Sequence, residues 1–385
     1  IIFGKTNVPK YAADLQTYNR IFGTTNNPWN LTCTPGGSSG GSAAALAAGL
    51  TPLELGSDIG GSIRTPAHYC GVFGHKATYD SIPLEGHIAA HTVDKDVCGL
   101  WVGGPLARCP RDLALVFKIL ASPSMPDPRG QRLRDNAPRS LHGARILAWF
   151  DDPLCPIDRE MMGNFHQLVT WLKQQGAIVT EGAPLNSQLA DYFSIYLNLL
   201  GRVLSGASPR ALRKAMYWIA PVYKILQPAL GLPPFFENYL CGSGQSKAVS
   251  MRQEDARIQL RERFLSVFES YDVILTPVTP ATAYQHQQIL PVPLRSITVN
   301  SSQRHYTEQL MWICMATLLG LPSTSAPVGV TAQGMPFNLQ VIGSPYADLM
   351  TMRFAELISE SKGGFMPPQG WSGDLIPVGK QRPAA

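Results

Sequence analysis

Two glycine runs, each holding a serine, dominate the chemistry this sequence offers: Gly36-Gly37-Ser38-Ser39-Gly40-Gly41 and Asp58-Ile59-Gly60-Gly61-Ser62-Ile63-Arg64. Glycine lacks a Cβ and adopts turns closed to other residues, so such runs cluster bare backbone N–H groups. Clustered N–H donors stabilise a developing oxyanion, and a hydroxyl beside them can act as a nucleophile. The combination points to acyl transfer. An isolated Gly/Ser run also reads as a flexible loop. Here the first run leads directly into the alanine-rich stretch Ser42–Leu50, and a second Gly-Gly-Ser follows 24 positions after Ser38. Alanine favours helix, so the first set of N–H groups is expected at a helix N-terminus.

Other arrangements of the same residue types fit less well. Gly36-x-Ser38-x-Gly40 satisfies the nucleophile-elbow spacing, but that elbow needs a buried strand immediately before the serine, and Pro35 argues against one. The one Ser-x-x-Lys match, Ser359 to Lys362, falls at the end of a polar C-terminal helix. His68, Cys70 and His75 have no second ligand pair spaced to complete a tetrahedral metal site, so they read as a buried thiol and two structural histidines.

The elements that must hold the loops alternate between strand and helix. A strand-like start at Ile1–Phe3, the serine loops and a helix at Pro110–Leu120 make up the chemical portion, residues 1–122. Ser122–Gly143, with Pro123, Pro126, Pro128 and Pro138, reads as an exposed connector. A strand at Arg145–Phe150, a helix at Arg159–Gln175 and a strand at Ala177–Thr180 form a βαβ unit, for which parallel pairing is the default. Between Leu189 and Tyr239 the chain is apolar and aromatic. Its helical pieces are expected to break at Pro221, Pro228, Pro233 and Pro234, and it lacks the regularity of a core element. Met251–Tyr271 reads as a helix burying Ile258, Phe264, Leu265 and Phe268 at a 3.6-residue period, followed by a buried strand from Val273 that ends at Pro277.

Composition sets limits on function. Charged residues are 15% of the 385 and hydrophobic ones 45%, so the chain has a sizeable core. The formal charge of +5 gathers into no Lys/Arg stripe and gives no reason to expect nucleic acid. No apolar run reaches the roughly 20 uncharged residues of a membrane span; the longest candidate, Ala215–Phe236, contains Lys224 and four prolines. Seven scattered cysteines and no recognisable signal peptide predict a reducing, cytoplasmic compartment.

The sequence resembles the amidase signature family of serine amidohydrolases. The resemblance is carried by Thr34-Pro-Gly-Gly-Ser-Ser-Gly-Gly-Ser42, Leu55-Gly-Ser-Asp-Ile-Gly-Gly-Ser-Ile-Arg-Thr-Pro-Ala67 and Cys70-Gly-Val-Phe-Gly-His-Lys-Ala-Thr78. Phe3–Pro9, Gly104–Arg108 with Asp112, Asp272–Pro280 and Gly320–Gly343 extend it over most of the chain outside about 125–250. Ala77 stands where the family usually has proline.

What the resemblance implies is a Ser-Ser-Lys triad. Ser62 matches the nucleophile, Ser38 the bridging serine on a cis peptide, and the N–H groups of Ile59, Gly60, Gly61 and Ser62 the oxyanion hole. Ser39, Asp58 and Arg64 match residues that position the loops, although an ordinary ion pair also accounts for the last two. The family lysine lies farther upstream of Ser38 than the 37 residues present here. Lys5 and Lys76 match structural lysines instead. The chain, which opens on Ile1, is therefore expected to lack an N-terminal segment or to be unable to complete the relay.

The expected fold is α/β: a mixed, mostly parallel central sheet covered by helices on both faces, with the serine loops at one edge. One amidase-type domain is expected over 1–385, with 189–244 a variable helical cap and 251–360 completing the core. The expected activity is hydrolysis of a small-molecule amide without metal or organic cofactor, in a protein that can form a homodimer. Two alternatives remain open: the glutamine-hydrolysing subunit of a tRNA-dependent amidotransferase, and a catalytically incomplete binding protein.

Overall fold

In a computed structural model that describes residues 2, 4–84, 87, 99–121, 138–206, 208–288, 291–360 and 364–370, the central feature is an eight-stranded sheet. In chain order its strands are β1 (Leu53–Asp58), β2 (Phe73–Lys76), β3 (Val102–Ala107), β4 (Arg145–Ala148), β5 (Ile178–Glu181), β6 (Val273–Pro277), β7 (Ser323–Val330) and β8 (Pro336–Gly343). Across the sheet they lie β1-β3-β2-β7-β8-β6-β4-β5.

The sheet is mixed, as expected, but the emphasis on parallel pairing is corrected. Only β6-β4 and β4-β5 pair in parallel; the other five neighbours are antiparallel. The cause is insertion. β1 and β2 run in the same direction but never touch, because β3 sits between them and pairs antiparallel with both. The β7-β8 hairpin lies between β2 and β6, which run in opposite directions, and pairs antiparallel with both. A βαβ sequence pattern sets the relative direction of two strands, not their adjacency. The β4-helix-β5 unit is parallel as read, and all residues of β8 are buried.

The helices are α1 (Gly40–Ala47), α2 (Arg64–Cys70), α3 (Pro110–Leu120), α4 (Arg159–Gln174), α5 (Leu189–Leu204), α6 (Arg210–Leu230), α7 (Phe236–Gly244), α8 (Lys247–Leu265), α9 (Val267–Ser270), α10 (Met311–Leu318) and α11 (Asp348–Glu360). Both faces of the sheet are covered, and β2 shows how. A Cβ at Gly74 would meet Ile63 and Ala67 at 2.9 Å, on the α2 side. His75, next along the strand and so pointing the opposite way, stacks edge-on against Phe117 of α3 and bonds Asp348 of α11 at 3.0 Å. α10 is buried along its whole length.

Several boundaries and faces differ from the sequence reading. Ile1 and Phe3 of the expected start and most of the Ser122–Gly143 connector lie outside the described residues; Ile2 is exposed and not in a strand. Pro221 and Pro228 do not break the chain; α6 runs through both. Both are exposed, so the carbonyls that lose their i+4 partner lie toward the outer side of the helix, where water can satisfy them. α5 is a core element, with nine buried residues including Tyr192, Phe193 and Tyr196. On α8, Leu260, Phe264 and Arg257 face inward while Ile258 is 42% exposed. The arginine displaces the isoleucine because its guanidinium bonds Glu254 and the Leu318 carbonyl at the C-terminus of α10, where a cation is favoured.

Candidate active site

The two glycine loops lie at the edge of the sheet where β1 ends. β1 is the edge strand; Ile59–Ser62 leave its end, and α2 begins at Arg64. The first loop runs into α1, whose first helical residue is Gly40 rather than Ser42. The peptide between Gly37 and Ser38 is cis. A hydrogen bond from the Ser39 N–H to the Ser62 carbonyl (3.1 Å) ties the two loops together, one residue from Ser38. Ser38, Ser39 and Ser62 are all buried. Among the described residues, neither the Ser38 nor the Ser62 hydroxyl makes a hydrogen bond.

Glycine is required at particular positions in both loops. Gly36 has φ +85° and Gly61 φ +81°, backbone that side chains disfavour. At Gly37 there is also no space: a Cβ would sit 2.6 Å from the Asp14 carbonyl oxygen. The Thr17 hydroxyl donates to the Gly36 carbonyl (2.8 Å) and accepts from the Gly40 N–H (3.1 Å), fixing the first loop across its width.

Asp58 fixes the second loop. Its Oδ1 accepts from the Gly61 N–H (2.9 Å), and its Oδ2 from the N–H groups of Ile63 (3.2 Å) and Arg64 (3.3 Å). Both oxygens also receive the Arg64 guanidinium, at 3.0 and 2.9 Å. That guanidinium is fully buried and donates further to the Ile313 carbonyl, Gln340 Oε1 and Thr317 Oγ1. Burial alone would push the Asp58 carboxyl up; the Arg64 charge and hydrogen bonds override it and hold the carboxyl below its ordinary range. The pair is thus both an ion pair and a brace for the loop.

Of the four N–H groups that the family resemblance matches to an oxyanion hole, that of Gly61 is occupied by Asp58. Those of Ile59, Gly60 and Ser62 have no partner among the described residues. The Ile59–Gly60 peptide is oriented from its other side, because the Tyr196 hydroxyl of α5 donates to the Ile59 carbonyl at 2.9 Å. Burial pushes the Tyr196 phenol well up, so it remains a donor. Sequence reading missed Tyr196. It lies 134 positions beyond Ser62, in a segment read as a variable cap, and nothing local marks it.

Lys76 is fully buried, and burial, reinforced by the Arg64 charge, pulls it down to about 7. Its Nζ donates to the carbonyls of Ala77 (2.9 Å) and Leu321 (2.8 Å), a structural position as read. Lys5 is exposed. His68 and His75 are buried and held by the Asn338 backbone and by Thr324 and Asp348. Among the described residues, no group of three or more His, Cys, Asp or Glu side chains is placed to hold a metal ion.

The Amidase family model matches residues 1–352. The chain is 30% identical to the A subunit of the glutamyl-tRNA(Gln) amidotransferase of Alkaliphilus metalliredigens, over 96% of this chain and 76% of that protein. Its fold superposes on the crystal structure of the corresponding protein from Thermotoga maritima with a TM-score of 0.72 at 26% identity, covering 96% of this chain and 76% of the other. A solved amidase structure gives 0.69 at 25% identity, covering 94% and 74%.

Proposed function

The chain belongs to the amidase family, and from that premise we propose that it cleaves an amide bond through an acyl-Ser62 intermediate. The observation that carries this reading is the braced loop: the N–H groups of Ile59, Gly60 and the buried Ser62, which have no partner among the described residues, lie within four successive residues on a backbone held by Asp58 and Arg64. Donors fixed in advance where negative charge develops lower a barrier without reorganising during the reaction.

In the proposed reaction, Ser62 Oγ attacks the amide carbon and the carbonyl oxygen becomes an oxyanion facing the N–H groups of Ile59, Gly60 and Ser62. Ser38 accepts the Ser62 proton and passes its own to the departing amine nitrogen. The C–N bond breaks, the acyl group stays on Ser62, and water then hydrolyses the ester by the reverse proton path. A serine hydroxyl is a weak nucleophile at neutral pH, so its activation needs a base, and Ser38 acts as the bridge through which the proton travels. Ser39 acts by tying the loops, and Asp58 and Arg64 act by shaping the second.

The test is reaction of the protein with a fluorophosphonate probe followed by peptide mapping, alongside hydrolysis of a panel of small amides. The adduct is expected on Ser62, and an adduct elsewhere sinks the assignment. Ser38→Ala is expected to retain labelling at Ser62 but to slow it by about 10²–10³-fold, the usual worth of a positioned proton carrier. Labelling at the wild-type rate removes Ser38 from the relay.

Tyr196 supplies a further expectation. In a trans peptide the C=O and N–H point in opposite directions, so holding the Ile59 carbonyl aims the Gly60 N–H. Tyr196→Phe keeps the buried ring and removes only that bond. It is expected to lower kcat about tenfold, roughly one hydrogen bond, with KM within about twofold. A rise in KM at constant kcat would place Tyr196 in substrate binding instead.

A second reading is favoured by the names of the relatives: a glutamine-hydrolysing subunit that works in a complex. It predicts little hydrolysis by the isolated chain. It also predicts ammonia transfer to a glutamate-charged tRNA when the other components of such a complex are added.

A further inference from the structure

α6 carries apolar residues on two faces and has a partner for only one. Its inner arc packs on α7 and the loop before it: Tyr223 lies 5.6 Å from the Phe236 ring and donates to the Pro233 carbonyl, and Gln227 donates to the Leu232 carbonyl. Ala220 is the helix's one buried residue. The outer arc holds Leu212, Trp218, Ile219, Val222, Ile225 and Leu226, all exposed, with Trp218 at 73% and Ile225 at 77%. At 100° per residue these six span about 140° of the helix with no charge among them. Exposed Lys214 and Arg210 border that stripe on one side, exposed Lys224 lies farther round on the same side, and Arg210–Leu230 contains no Asp or Glu.

We infer that this outer face of α6 docks on an anionic lipid surface, with the helix lying in the plane of the headgroups. Charge decides between the possible occupants. If α6 packed on α6 of a second copy, the basic borders would meet each other in an antiparallel pair and would face an acid-free partner helix in a parallel one, so neither arrangement neutralises them. Anionic headgroups neutralise those borders while the acyl boundary takes up the apolar stripe. An uncharged apolar face bordered by lysine and arginine and carrying a tryptophan is the pattern of a helix that lies in a membrane interface. No helix among the described residues is long and apolar enough to cross a membrane, so α6 lies on the bilayer and does not span it. Packing into a substrate pocket, the ordinary role for such a segment, is not open to side chains that point outward.

The inference is independent of the catalytic reading and is tested without turnover. The full chain is floated with vesicles of phosphatidylcholine alone and of phosphatidylcholine mixed with phosphatidylglycerol, at low and high salt. Binding to the anionic vesicles is expected, weakening with salt. Trp218→Ser combined with Ile225→Asp is expected to reduce the partition coefficient at least tenfold. Replacing Arg210, Lys214 and Lys224 by glutamine should reduce it by about fivefold per charge removed. These side chains are exposed, so unchanged thermal unfolding of the variants checks that the fold is intact. Absence of flotation with anionic vesicles, or undiminished binding by the Trp218/Ile225 variant, overturns the inference. A dimer that the same variant dissolves, without vesicle binding by the wild type, overturns it in favour of a second copy.

Discussion

Ser62→Ala is expected to abolish labelling by a fluorophosphonate and to lower amide hydrolysis by about 10⁴-fold or more. Loss of the nucleophile removes the covalent path, and what remains is binding and the oxyanion donors alone. The fold should survive the change, since the Ser62 hydroxyl makes no hydrogen bond among the described residues and the loop is held by other atoms: Asp58 on the Gly61 N–H and the Ser39 N–H on the Ser62 carbonyl. Thermal unfolding close to that of the wild type, with activity gone, is therefore the expected pair of results. Residual activity within tenfold of the wild type would assign the chemistry to another group.

The second large effect concerns stability. Arg64→Met removes a cation from the fully buried Asp58 and leaves the Ile313 carbonyl, Gln340 Oε1 and Thr317 Oγ1 without that donor. Removing one member of a buried pair costs about 3–5 kcal/mol, mostly from the charge left behind. For a chain of 385 residues that lowers the midpoint of thermal unfolding by about 5 °C. Activity should fall as well, because Asp58 sets the second loop. Asp58→Asn combined with Arg64→Met is expected to cost less than the sum of the two single changes, since no uncompensated charge remains. Strict additivity in that double-mutant cycle would show that the two side chains act separately.

The sequence reading failed in places that share a physical origin. Alternating strand and helix patterns at 145–181 were legible and fold as a parallel unit, but the same logic could not foresee that β3 inserts between the like-directed β1 and β2, or that the β7-β8 hairpin sits between β2 and the oppositely directed β6. Period alone put Ile258 inside; the bond of Arg257 to the carbonyl at the end of α10 turns the arginine inward and leaves Ile258 exposed. Proline chemistry predicted breaks at Pro221 and Pro228 that a solvent-facing helix absorbs. In each case a partner distant in sequence, or the solvent, outweighed the local preference.

The serine loops themselves were readable because their requirements are local. Positive φ at Gly36 and Gly61 and the absence of room at Gly37 permit few residues other than glycine, so backbone demand is written directly in the residue types, and the helix that starts at the first loop is written in its alanines. Neither Tyr196 on the Ile59 carbonyl nor the removal of Gly61 from the free N–H groups could be read that way. Nor could the outward turn of the α6 stripe. Those depend on which segments the folded chain brings side by side, and a hydrogen bond between residues 137 positions apart leaves no periodic mark in either segment.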